Sequence, residues 1–265
     1  NAPFSNTRSV AELSLGAMIL LLRGIFDRNE KMHRGIWEKS AQGSYEIRGK
    51  KLGIVGYGNI GTQLSFLAEA MGMQVYFYDL EEKLVIGNAK KCNSLQELLS
   101  EVDIVSLHVD GRPENAGLIG QKEFSYMKEG AVFLNMSRGS VVDISALKEA
   151  MLSHHLAGAA IDVFPKEPRK NQDSFESELL GIPNLMLTPH IGGSTMEAQV
   201  SIANFVPNKL IDYINSGSTM GSVNFPNLQL QQVKDAHRII HIHKNVPGML
   251  AHINRLLAAR NINVV

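Results

Sequence analysis

The segment Lys51-Leu52-Gly53-Ile54-Val55-Gly56 is a short apolar run ending in glycine, and Gly56-Tyr57-Gly58-Asn59-Ile60-Gly61 continues it as G-x-G-x-x-G. The run reads as a buried strand, and Ile60 to Met71 follows with a helical pattern. Gly56 permits a tight turn, Gly58 leaves no Cβ where a pyrophosphate would approach, and Gly61 lets helix and strand pack closely. The helix amides and dipole then face the phosphates. Glycines are common in turns, so the motif gains its weight from its place between strand and helix. Gln74 to Asp79 is a second strand, rich in aromatic and branched residues. Asp79 ends it about twenty residues further on, where an acid can bind the adenosine ribose hydroxyls. A carboxylate there would repel a 2′-phosphate, which favours NAD over NADP. The competing reading is a glycine turn and a strand-end Asp in an α/β domain that binds nothing.

Strand and helix patterns alternate along most of the chain. Ser9 to about Arg23 carries Val10, Leu13, Ala17, Leu20 and Leu21 at helical spacing, and Asp27 to Gly49 is polar around the single Trp37. Ser94 and Glu97 have the spacing of a capping box at a helix start. Strands are expected over Asp103–Val109, Ala131–Asn135, Ala157–Val163 and Leu185–Leu187. Helices are expected over Gln121–Met127, from an Asp143 cap towards His154, and from Ser194 to about Asn215. This order argues for a doubly wound parallel sheet of the Rossmann type, covered on both faces. Beyond Gly217 and Pro226 the connection loosens. Arg238 to His243 reads as a strand, and a helix is expected from Pro247 and Gly248 to Arg260.

Composition narrows the partners. Lys+Arg and Asp+Glu are 26 each, so no basic face is implied and nucleic acid is not an expected partner. With 44% hydrophobic and 20% charged residues the chain suits a packed globule. The longest apolar run, Leu15 to Leu22, is too short to span a membrane and contains Gly16. The single Cys92 excludes an internal disulfide and a thiolate metal cluster, and it suits a reducing compartment such as the cytoplasm. The chain opens on Asn, and Asn261 to Val265 reads as the start of a strand, so a fragment is expected.

Three later segments place polar residues just beyond expected strands: Asn135-Met136-Ser137-Arg138-Gly139, Asp162-Val163-Phe164-Pro165-Lys166-Glu167-Pro168, and Thr188-Pro189-His190-Ile191-Gly192-Gly193. In open parallel sheets ligands sit beyond the carboxyl ends of strands, so Arg138, Glu167 and His190 can share one crevice. Hydride transfer from a 2-hydroxy acid needs these residue types. His can take and return a proton near neutral pH, Glu can orient its ring, and Arg can hold a carboxylate through two parallel hydrogen bonds. Taken singly, each has a plainer reading: a loop histidine, a surface ion-pair arginine, a solvated turn glutamate.

Together, Gly56–Gly61, Asn135–Gly139, Asp162–Pro168 and Thr188–Gly193 resemble the successive signatures of the D-isomer-specific 2-hydroxyacid dehydrogenases, in order and with natural spacing. The resemblance implies that Arg138, Glu167 and His190 are catalytic. It implies cofactor contacts at Gly56, Gly58, Asn59, Ile60, Gly61, Asp79, Met136, Ser137, Arg138, His190, Gly192 and Gly193, with the nicotinamide carboxamide near Asp162. One departure is visible: the proline that usually follows the valine after strand Ser106–Val109 is Asp110 here, followed by Gly111-Arg112-Pro113.

Within the family, Asn1 to Glu12 and the tail after Gly217 look like the branch that oxidises 3-phosphoglycerate with NAD on the route to serine. Substrate contacts are then implied at Asn6 and Gln199, and at Lys39 in a neighbouring subunit. Ile239 to Gly248 resembles the first strand and loop of an ACT module, which binds amino acids. The resemblance makes L-serine an effector, with His243 and Asn245 as contacts; a plain turn at Asn245 is the alternative. The implied division is 6–192 for NAD binding, 1–5 and 193–234 for remnants of a substrate domain, and 236–265 for a partial, ferredoxin-like ACT module. A homo-oligomer is implied, dimeric through the cofactor domain and tetrameric when intact, while this piece alone is expected to bind NAD but turn over poorly. Three alternatives stay open: a glyoxylate or hydroxypyruvate reductase, an NAD-sensing protein without catalysis, and a bare oligomerisation fragment.

Overall fold

The computed structural model describes residues 2–232 and 238–262. They fall into two compact units that divide after Asn204. The first, Ala2–Asn204, is built on a parallel sheet. Its seven strands are β1 (Lys51–Val55), β2 (Gln74–Tyr78), β3 (Lys90–Lys91), β4 (Ile104–Leu107), β5 (Ala131–Asn135), β6 (Leu156–Ile161) and β7 (Leu185–Leu187), in spatial order β3-β2-β1-β4-β5-β6-β7. The order reverses at β1, which pairs with β2 on one side and β4 on the other. That is the topological switch point where a crevice opens past the carboxyl ends of the strands.

The helices of this unit are α1 (Thr7–Leu22), α2 (Ile25–His33), α3 (Asn59–Ala70), α4 (Leu95–Glu101), α5 (Gln121–Tyr126) and α6 (Ile144–Leu152); α7 (Met196–Ser216) begins in it. Alternate residues of the buried strands serve two cores. On one face Leu52, Ile54, Val132 and Leu134 pack with Val10, Met18 and Leu21 of α1 and Leu64 and Ala68 of α3. On the other, Val55, Val105, Leu107 and Phe133 pack with Leu98 and Leu99 of α4, Phe124 of α5 and Leu147 of α6. The expectation of a parallel sheet covered on both faces is met.

Local chemistry fixes the element ends. The Asp143 carboxylate accepts hydrogen bonds from the Ser145 and Ala146 amides and starts α6. The Ser94 hydroxyl accepts from the Glu97 amide at 3.1 Å. The return bond of the expected capping box differs: Glu97 accepts from the Asn93 amide, one residue before the cap. Two elements left no readable period. Helix α2 is short, fully buries none of its residues and touches the core only through partly buried Phe26, and β3 is a two-residue edge strand.

In the second unit α7 continues past Pro207 to Ser216. Buried Thr219 then staples the following loop: its hydroxyl donates to the Pro226 carbonyl at 2.6 Å and accepts from the Leu228 amide at 2.9 Å, while its own amide donates to the Leu228 carbonyl at 2.9 Å. The strand expected over Arg238–His243 does not form. A strand exists only as a member of a ladder, and this segment has no strand partner among the described residues; Ile239 stays 72% exposed. The helix expected next is present as α8 (Met249–Ala258), starting after Gly248 in the left-handed conformation. The boundary near 234–236 and the strand start ending at Val265 fall partly outside the described residues.

At the end of β4, the His108 ring lies 2.9 Å from the Ser106 hydroxyl through Nε2, and burial pushes its pKa down to about 3. The unfolded chain binds a proton near the ordinary histidine value that the folded chain refuses. Stability is therefore complete above about pH 6.5 and is lost as pH falls towards 3. Between pH 7 and pH 5 this histidine should account for about 2 kcal/mol of lost stability. Urea unfolding at the two pH values should show that part of the acid-side loss missing in His108→Gln. Asp143→Ala should cost about 1 kcal/mol at either pH, measured the same way.

Candidate active site

All the expected site loops leave the sheet at its carboxyl edge. Gly56, just past β1, has φ +93°, and a Cβ on it would stand 2.8 Å from the His108 carbonyl. A Cβ on Gly61 would stand 2.3 Å from the Gly56 carbonyl oxygen, so only glycine lets α3 begin so close to β1. Gly58 is different: no protein atom lies within 4 Å of where its Cβ would be. No side chain caps the N-terminus of α3 at Gly58. The loop is thus tight against the sheet and open towards the crevice, with helix amides available for an anion. The Asp79 carboxylate, past β2, accepts from the Tyr57 amide at 2.8 Å and the Glu81 amide at 2.9 Å. A carboxylate has about four acceptor positions, so capacity for ribose hydroxyls remains. These residues fit a dinucleotide carrying no 2′-phosphate.

The loop after β5 is held by Asn135, fully buried. Its side-chain oxygen accepts from the Ser137 amide and hydroxyl, and its Nδ2 donates to the Arg138 carbonyl at 3.0 Å. Met136 and Ser137 are buried while Arg138 is exposed. Gly139 then crosses the loop after β6 so closely that a Cβ would stand 1.9 Å from the Phe164 carbonyl carbon. This crossing brings the Arg138 loop onto the Glu167 loop.

Asp162, 2% exposed at the end of β6, ties that strand to the loop after β7. Its Oδ1 accepts from the Thr188 hydroxyl at 2.6 Å and the Ile191 amide at 2.9 Å, and its Oδ2 from the Gly192 amide at 2.8 Å. His190, between these anchors, sits at φ +55°. Its Nδ1 lies 2.8 Å from Glu167 Oε2, while Glu167 Oε1 accepts from the Phe164 amide at 3.0 Å. Burial pushes the Glu167 carboxyl up, but the hydrogen bonds from His190 and Phe164, with Arg138 nearby, outweigh it and hold the group below the usual range. Glu167 is thus a fixed anion that orients the ring. The arrangement can exchange a proton at His190 beside a guanidinium that can hold a carboxylate.

The other expected site residues are placed unequally. Asn6 packs beside Gly193, where a Cβ would stand 2.4 Å from its Nδ2, so it adjoins the His190 loop. Gln199 is exposed on the first turns of α7, and Thr195, just before that helix, pairs its hydroxyl with Ser9 at 2.8 Å. Lys39 does not join the site within this chain. Its neighbours Glu38 and Gln42 border a cavity with Gly130, Leu156 and Asn184, which precede or start β5, β6 and β7 at the opposite edge of the sheet. His243 and Asn245 are exposed in the second unit, and His243 Nδ1 lies 2.9 Å from the Lys244 carbonyl. Two positions had no assigned role in the sequence: Asn135 and Thr188. An Asn just before a turn, able to bond its own backbone, was the available signal for the first; the Thr188–Asp162 bond joins distant segments and left no local signal.

Comparison with known proteins agrees with this geometry. The family model described as "D-isomer specific 2-hydroxyacid dehydrogenase, NAD binding domain" matches residues 15–192. Over 264 residues the chain is 55% identical to a D-3-phosphoglycerate dehydrogenase of Escherichia coli (strain K12), covering 100% of this chain and 64% of that protein. It is 52% identical to the D-3-phosphoglycerate dehydrogenase of Haemophilus influenzae, again over 100% of this chain and 64% of the relative. The chain therefore spans a little under two thirds of these relatives. Among solved structures, D-2-hydroxyisocaproate dehydrogenase aligns with a TM-score of 0.77 and 29% identity, covering 83% of this chain and 69% of that one. A parallel sheet with this switch point, a glycine loop open to a dinucleotide and a Glu–His pair at its carboxyl edge lead to one assignment: the chain belongs to the D-isomer-specific 2-hydroxyacid dehydrogenases and carries their NAD-binding domain.

Proposed function

We propose that the intact protein oxidises 3-phosphoglycerate to 3-phosphohydroxypyruvate with NAD, the first committed step towards serine. The observation that carries this reading is the His190–Glu167 contact of 2.8 Å, held beside the Arg138 loop by the Gly139 crossing. The substrate follows from relatives named D-3-phosphoglycerate dehydrogenase that match the whole length of the chain.

Bound in this crevice, NAD would supply the acceptor for the hydride from C2 of the hydroxy acid. Arg138 holds the substrate carboxylate and steadies the developing carbonyl oxygen. Glu167 engages His190 Nδ1 and so leaves Nε2 to take the hydroxyl proton. As the ring gains that proton, the adjoining carboxylate stabilises its charge. Gly56 and Gly58, with the amides of Asn59 and Ile60, would receive the pyrophosphate, and Gly61 sets α3 close enough to β1 to present them. Asp79 receives the adenosine ribose. Met136, Ser137, Asp162, Gly192 and Gly193 line the nicotinamide end.

Asn6 and Gln199 contact substrate, and Lys39, whose neighbours Glu38 and Gln42 lie at the far edge of the sheet, reaches the phosphate from a neighbouring subunit of a homo-oligomer. Residues 6–192 form the NAD-binding domain, 1–5 and 193–234 belong to the substrate domain, and 236–265 begin a module through which L-serine acts on His243 and Asn245. The cytoplasm is the matching compartment.

NADH formation from 3-phosphoglycerate at alkaline pH, in the full-length protein, tests the reading. His190→Ala should lower kcat by about 10³-fold, and Glu167→Gln by about 10²-fold, with NAD affinity retained in both. Undiminished turnover by His190→Ala would remove the base from this scheme. Turnover of glyoxylate or hydroxypyruvate but not 3-phosphoglycerate would move the substrate to a reductase of the same family.

A further inference from the structure

The loop that departs from the family pattern lies against the catalytic arginine. A Cβ on Gly111 would stand 3.0 Å from Arg138 Cγ, 3.5 Å from Cδ and 3.7 Å from Cβ. Gly111 is not among the glycines with positive φ. Alanine would therefore strain no backbone there but would press on the Arg138 stem.

The loop around Gly111 is pinned. The Asp110 carboxylate accepts from Arg112 Nε at 2.7 Å, from the second arm of the same guanidinium at 2.6 Å, and from the Arg112 amide at 3.3 Å. Asn115, 8% exposed, donates its Nδ2 to both Asp110 Oδ1 and the Asp110 carbonyl at 3.0 Å. An exposed ion pair adds little stability, but a bidentate fork with a buried amide behind it fixes geometry. On its other side Arg138 is constrained by its own loop, where its guanidinium donates to the Ser137 carbonyl at 2.6 Å.

We infer that Gly111, held by the Asp110–Arg112–Asn115 network, is a positioning residue for Arg138: its missing side chain sets where the guanidinium meets the substrate carboxylate. This rests on the proposed role of Arg138. A small displacement of a substrate-holding group weakens binding and alignment together. The dinucleotide, held by the β1 loop, should be unaffected.

The test is a double-mutant cycle in the full-length protein, with steady-state kinetics on 3-phosphoglycerate, NAD affinity and thermal melting. Gly111→Ala should lower kcat/KM about tenfold, mainly through KM for the hydroxy acid, with NAD affinity and Tm unchanged. In an Arg138→Ala background the same substitution should add no further loss. Should Gly111→Ala melt early, Asp110→Asn, which keeps the side chain's heavy-atom shape but puts a donor where Arg112 needs an acceptor, should shift KM in the same direction while keeping Tm. Wild-type KM in both Gly111→Ala and Asp110→Asn would overturn the inference, as would an equal loss with and without Arg138. Wild-type kinetics for Arg138→Ala would instead overturn the proposed role of Arg138.

Discussion

One buried carboxylate ties the reacting edge of this molecule together. Asp162 ends β6, and three hydrogen bonds carry its charge into the loop after β7. Bonds to a charged acceptor are roughly twice as strong as neutral ones, and removing the acceptor would leave the buried Gly192 amide unpaired. Between those anchors His190 adopts φ +55°, a conformation that costs a non-glycine residue about 1 kcal/mol or more. The Asp162 bonds over-determine the loop and so hold that strain. The ring is thereby presented to Glu167, which is itself fixed by the Phe164 amide. The dyad is a consequence of how two adjacent strands end.

The remaining site geometry comes from glycines that allow backbones to meet. Gly61 brings α3 onto β1, Gly139 brings the Arg138 loop under the Phe164 carbonyl, and Gly111 leaves room for the Arg138 stem. Each close approach is set by excluded volume, so it is rigid without being strongly attractive. At the mouth of the crevice Gly58, unlike Gly61, Gly139 and Gly111, faces open space, so its missing side chain leaves room for a ligand. The glycine loop and the dyad thus follow different rules: one is shaped by absence of atoms, the other by charge-assisted hydrogen bonds.

The second unit shows where a sequence pattern lacks the context it needs. Ile239, Ile240 and Ile242 have the composition of a strand, yet no strand partner stands beside them among the described residues. Backbone hydrogen bonds of a helix are internal, and α8 forms from its own residues. Those of a strand belong to its neighbour. Helix α1 is legible from its long apolar spacing, whereas the shorter α2 meets the core only through partly buried Phe26.

The sequence by itself determined the parallel sheet and the glycine loop with Asp79 past the next strand, and it singled out Arg138, Glu167 and His190 as polar residues just beyond strand ends. Those features are local: strand and helix periods, turn glycines, and polar residues just beyond strand ends. Tertiary structure alone decided that Glu167 meets His190 through Nδ1, that Asp162 faces Thr188, Ile191 and Gly192, that Gly139 crosses Phe164, and that Gly111 abuts Arg138. It also decided that Glu38 and Gln42, on either side of Lys39, border a cavity at the far edge of the sheet. Each of these joins segments that are distant along the chain, and their distances depend on strand order, loop crossing and excluded volume, none of which is written in any single stretch of residues.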